Sequence, residues 1–77
     1  MVVVRAFTQI PSRPPEQYER VELLRAAETR RGKTVPGGSR GTVVEILGDH
    51  EAFMVEFQQP FAALVTVDAS NLRHVRE

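Results

Sequence analysis

Two short stretches and a few scattered side chains are of types able to do chemistry. Ala27-Glu28-Thr29-Arg30-Arg31-Gly32-Lys33-Thr34 has the Gly-Lys-Thr ending of a phosphate-binding loop, with Ala where that pattern opens on Gly. The chemistry would need backbone N–H groups curled around phosphates, Lys33 on the outer phosphates, Thr34 on magnesium and a helix starting directly afterwards. Val35-Pro36-Gly37-Gly38 follows instead and cannot start that helix. A doubly wound nucleotide-binding core also does not fit in 77 residues, so the pattern is read as coincidence. Asp49-His50-Glu51 sets three metal-ligating types side by side. Neighbours on a turn rarely converge on one ion, and no metal site is expected there. His74 falls on a short strand, and Ser12, Ser39 and Ser70 sit in Pro-, Gly- or Asp/Asn-rich turns with no spacing that pairs them with a histidine and an acid. Glu45 and Glu56 are expected to face each other across a hairpin as solvated carboxylates, not as an acid–base pair in a cleft. No catalytic residue, metal or cofactor is assigned, and the chain is read as a non-enzyme.

The basic residues point elsewhere. Arg25, Arg30, Arg31, Lys33 and Arg40 against Glu28 give +4 over sixteen residues, flanked by glycines that let a backbone approach a ligand. Such residues meet carboxylates or phosphates through charge-assisted hydrogen bonds. Binding to phosphate would be salt-dependent. The whole chain is neutral, yet residues 1–40 carry a net +4 and residues 41–77 a net −4. Pairing between the halves across a small fold accounts for that split. A basic lip for a partner is the sharper reading. The five aromatic residues are Phe7, Tyr18, Phe53, Phe57 and Phe61, and Phe53 and Phe57 are claimed by the core, which leaves few for stacking on bases.

Composition narrows the class further. At 42% hydrophobic and 26% charged, the chain is globular and not disordered. With no cysteine it has no disulfide, thiol nucleophile or Cys-based zinc site, as suits a reducing cytoplasm. Its longest apolar run, Phe61 to Val65, is too short for a membrane span or a signal-peptide core. A cytoplasmic chain that does not enter membranes is therefore expected.

The elements that must position these residues read as strands. Phe53, Val55 and Phe57 alternate with Met54, Glu56 and Gln58, which gives the strongest local signal in the chain. Gly41-Thr42-Val43-Val44-Glu45-Ile46-Leu47 is apolar on both sides, as in a strand covered on both faces or one carrying a bulge. Gly48-Asp49-His50-Glu51 joins the two as a tight hairpin. Pro60 ends the second strand, and Phe61 to Val67 forms a third with Val65 and Val67 inward. Asp68-Ala69-Ser70-Asn71 suits one 3₁₀ turn, and Leu72 to Val75 a closing strand. Upstream, Ser12 to Arg31 has helical signals: early prolines and glutamates, late arginines, and Gly32 as a stop. Tyr18 to Leu23 also alternates at period two. Closing a small barrel requires a strand here, and one is expected from about Tyr18 to Arg25. Residues 28–40 are read as a long connection punctuated by glycine and proline. Residues 1–17 are read as an extended arm, with two alternatives for its Val2-Val3-Val4 run: packing on its own body, or crossing to a second subunit to give a homodimer.

Taken together, Val21-Glu22-Leu23-Leu24-Arg25, Val35-Pro36-Gly37-Gly38-Ser39-Arg40-Gly41-Thr42-Val43-Val44, Ala52-Phe53-Met54-Val55-Glu56-Phe57, Val65-Thr66-Val67 and Leu72 resemble a small bacterial family catalogued only as a domain of unknown function. The resemblance spans roughly residues 18–75. It implies an SH3-like barrel related in shape to the KOW modules of ribosomal and transcription proteins. It also implies genes that stand beside toxin-like genes, hence antitoxin or immunity roles, and it brings no catalytic residues. The Gly41-Thr42-Val43 entry matches KOW modules, while their dense Lys/Arg is thinner here. The reading is then a mainly β, SH3-like five-stranded barrel over 18–77 with an extended N-terminal arm over 1–17. It is expected to bind a protein partner, a toxin being the candidate the resemblance suggests, through Arg25, Arg30, Arg31, Lys33, Arg40 and Phe7. The alternative is a KOW-like RNA or DNA binder using the basic loop 25–40.

Overall fold

Side-chain alternation decides the strands. In the computed structural model, which describes residues 13–75, Phe53, Val55 and Phe57 of β5 (Ala52–Phe57) are withdrawn from solvent, and Glu56 lies on the exposed face. β4 (Arg40–Leu47) pairs antiparallel with β5, and Val43 stands opposite Val55. The register then shifts, because the next pair is Glu45 with Met54 and Val44 is left over. That bulge explains the run of apolar residues on both sides. It flips the alternation, so Ile46, opposite Phe53, turns back towards the core. The Gln17 side-chain amide donates to the Val44 carbonyl at 3.0 Å on the bulged stretch. The expected hairpin turn follows, with Gly48 and His50 both in the left-handed region at φ 63° and 62°.

β6 (Ala63–Asp68) pairs with β5 and buries Val65 and Val67, as alternation requires. A 3₁₀ turn (Ala69–Asn71) leads into β7 (Leu72–His74). The competition between helix and strand upstream ends in a strand, β1 (Arg20–Leu23). Val21 and Leu23 are buried to 1% exposure or less while Leu24 is half exposed, a period of two. The strand wins because β1 is hydrogen-bonded on both sides, to β4 and to β7, which satisfies its backbone and fills the core together. Local helix signals cannot match that.

The sheet order is β6-β5-β4-β1-β7, and neither edge strand pairs with the other. The fold is thus mainly β, but its ladder does not close into a barrel among the described residues. One core nonetheless draws on all five strands. Gly41 sits inside it, where a Cβ would lie 2.6 Å from the Glu56 carbonyl oxygen and 2.8 Å from Val55 Cγ1.

Residues 28–40 are not a plain connection. β2 (Ala27–Glu28) and β3 (Thr34–Val35) form a second, two-stranded sheet, and β2 lies against β6. Val35 is fully buried and anchors this hairpin. Two-residue strands are too short to show a period, so the sequence reads as loop. Glu45 and Glu56 do not face each other either. Glu56 pairs with Thr42 and Leu64, and the bulge sets Glu45 opposite Met54. The arm's residues 1–12, with Phe7 and any subunit-crossing contact, lie outside the described residues. Residues 13–17 are tied to the body: Pro15 is buried, and the His74 ring bonds the Arg13 carbonyl. Among the described residues no helix is long and apolar enough to cross a membrane.

Candidate functional site

The β2–β3 hairpin carries three of the six expected binding residues, Arg30, Arg31 and Lys33, with Arg25 just before it, and local chemistry fixes its shape. The Thr29 hydroxyl oxygen accepts from the N–H groups of Arg31 (3.2 Å) and Lys33 (3.1 Å), and the Thr29 N–H donates to the Lys33 carbonyl at 2.8 Å. Gly32, at φ 85°, takes the left-handed conformation that closes the turn. The resemblance to a phosphate-binding loop ends here. Thr34 enters a strand instead of a helix, and the Lys33 ammonium lies 4.2 Å from the centre of the Phe61 ring. That cation–π contact ties the hairpin to the β5–β6 connection.

At its base the hairpin is clamped by Asn71, the one buried polar side chain described. Its Oδ1 accepts from the Arg25 N–H at 2.6 Å and its Nδ2 donates to the Arg25 carbonyl at 3.1 Å. The Asn71 backbone carbonyl accepts from Leu24 N–H at 2.9 Å. Asn71 thus serves Arg25 as a neighbouring strand would. Asn in a turn suggests local backbone bonding. Its bond to residue 25 requires the fold.

Arg25, Arg30 and Arg31 are exposed, with no ion pair among the described residues. Arg40 differs from them. It belongs to β4, and its Nε sits 3.2 Å from Glu22 Oε1. Glu22 also holds Arg73 at 3.5 Å, because β1 lies between β4 and β7 and the three side chains share one row. Arg40 therefore joins a different cluster from the hairpin arginines, and Phe7 lies outside the described residues.

Beside Arg40 opens a groove of about 810 Å³. One wall is the turn Pro36-Gly37-Gly38-Ser39 and the other is Gln58-Gln59-Pro60. Arg20, Arg40, Thr42 and Glu56 form its floor. Arg20 pairs with Thr42, and Thr42 with Glu56, so the positive and negative ends lie two strands, about 10 Å, apart. Sequence reading missed this site. Strand alternation marks Arg20 and Glu56 as outward, but only the register of three strands puts them in one row.

The histidines serve the segment that leads into β1. Arg13 grips Glu19 with two hydrogen bonds, of 3.0 and 2.7 Å, and the Glu16 N–H donates to the same carboxylate. Arg13 foremost, and then the Glu16 N–H, lower the Glu19 pKa to about 2. His74 Nδ1 lies 3.7 Å from Glu19, and His50 Nε2 lies 3.5 Å from Glu16. No group of three or more His, Asp or Glu side chains among the described residues is arranged to hold a metal ion.

No family model, curated protein or solved structure matches the chain.

Proposed function

We propose that the chain is a non-catalytic protein-binding module of SH3-like architecture whose basic β2–β3 hairpin meets carboxylates on its partner. The observation that carries this reading is that Arg30 and Arg31, on a hairpin held at both ends, and Arg25 at its base stand exposed and unpaired among the described residues. Cations on a pre-ordered support lose little freedom on binding, and guanidinium forks match carboxylates in geometry. The architecture is supported by the strand order β6-β5-β4-β1-β7, the hairpin inserted between β1 and β4, and the 3₁₀ turn before the last strand. Genes of the family that the sequence resembles often stand beside toxin-like genes, which makes a neighbouring toxin the first partner to test. In a pull-down from the source cell, Arg30→Glu with Arg31→Glu should weaken capture by more than about tenfold, since two favourable charges become repulsive. Unchanged capture excludes the hairpin as the contact. Capture of RNA or DNA that salt abolishes would favour the nucleic-acid reading instead.

A further inference from the structure

The groove beside Arg40 is separate from the hairpin arginines, and its chemistry selects a ligand. Its floor holds two guanidinium groups, Arg20 and Arg40, against one carboxylate, Glu56. Arg20 has no ion-pair partner among the described residues, whereas Arg40 is held by Glu22. Glu22 is shared between Arg40 and Arg73, so releasing Arg40 leaves Glu22 with a counter-charge in place. The walls offer Ser39, Gln58 and Gln59, whose side chains both donate and accept hydrogen bonds, as a peptide backbone requires.

Resting on the binding-module reading, we propose that this groove takes an extended acidic segment of the protein partner, whose carboxylates land on Arg20 and Arg40 while Glu22 passes wholly to Arg73. Charge complementarity sets the class of ligand. A carboxylate meets the two arginines, and a neutral polar residue of the same segment passes Glu56 about 10 Å away. A continuous polyanion has no neutral position to offer Glu56, which repels it. Glu22 acts as an internal competitor: it holds Arg40 in place when the groove is empty and sets a threshold that a weak carboxylate does not cross.

Fluorescence polarisation on the full chain at low ionic strength tests this with two probes. One is a labelled decapeptide of repeating Glu-Glu-Ser-Ser, which alternates acid and neutral positions along each face when extended, and the other a labelled deoxythymidine decamer. The peptide is expected to bind more tightly than the decamer. Arg20→Ser with Arg40→Ser should weaken peptide binding by about tenfold or more, the factor of one charge-assisted hydrogen bond. Glu22→Gln, which removes the competitor and keeps the shape, should tighten it by up to about fivefold, the worth of an exposed pair. Arg30→Ser with Arg31→Ser should change it less than the groove pair does. The proposal is overturned by a wild-type chain that ignores the peptide, by a preference for the decamer, or by groove and Glu22 variants that bind as the wild type does. Peptide binding lost only in the hairpin variant also overturns it, while leaving the binding-module reading intact. Loss of that wider reading requires, in addition, that no partner be captured from the source cell.

Discussion

Gly41→Ala probes the most tightly packed of the glycines. Ordinarily this exchange in a strand favours the folded state by about 0.5–1 kcal/mol, because alanine has less freedom to lose. Here the new Cβ would lie 2.6 Å from the Glu56 carbonyl oxygen, 2.8 Å from Val55 Cγ1 and 2.9 Å from Phe57 Cδ2. A side chain alone could rotate away, but the carbonyl belongs to the β4–β5 ladder and moves only if the strands part. Overpacking of this kind costs about 1–3 kcal/mol where the surroundings give, and more where they do not. With backbone among the three contacts, a net loss of about 2–3 kcal/mol is expected. A 77-residue domain has roughly 4–12 kcal/mol in all. At about 4–8 °C per kcal/mol, the melting temperature should fall by roughly 10–20 °C. Thermal and urea unfolding followed by circular dichroism measure this. Gly32→Ala is the comparison: its Cβ meets nothing within 4 Å, but φ is 85°, so only left-handed strain of about 1–2 kcal/mol applies. A Gly41→Ala protein that melts at or above the wild type would refute the close packing of β4 on β5.

Two further outcomes follow from the same reasoning. Asn71→Ala removes both bonds to the Arg25 backbone and should destabilise the chain by about 1–3 kcal/mol, with faster amide exchange at Arg25; exchange at Arg25 unchanged from wild type would show that the clamp is dispensable. Glu19 carries a pH dependence of known sign: its folded pKa is lowered to about 2 from 4.5, so between these values the unfolded chain binds more protons. Its contribution is whole above about pH 4.5 and fades as the pH falls through about 2. Melting curves from pH 2 to 7 should therefore show Glu19→Gln below the wild type at neutral pH and converging with it in acid, and a constant gap would count against the Arg13–Glu19 contact.

Much of the fold was legible because alternation is a local signal. Phe53, Val55, Phe57, Val65 and Val67 announce which face is buried before any partner strand is known, and all five are buried. The bulge was legible as one of two alternatives, from the apolar run at Val43 to Leu47. The β2–β3 hairpin was not, since Thr34–Val35 is too short for a period and Val35 gains its burial from residues distant in sequence. Among the site residues, exposure of Arg30 and Arg31 follows from their setting between Thr29 and Gly32. The separation of Arg40 from them depends on Glu22, eighteen positions upstream.

By itself, the order of residues determined a mainly β chain, the inward rows of its long strands, the turns at Gly48 and Asn71, and a surplus of positive charge in its first half. Tertiary structure ended the competition between helix and strand in favour of the expected strand at β1, and it alone decided that Asn71 holds Arg25, that Glu22 serves two arginines, and that Arg20 and Glu56 share one groove. The reason is geometric. Alternation and turn chemistry act between neighbours along the chain, whereas ladder register brings together residues twenty to fifty positions apart, and a single bulge or a buried amide is enough to change which of them meet.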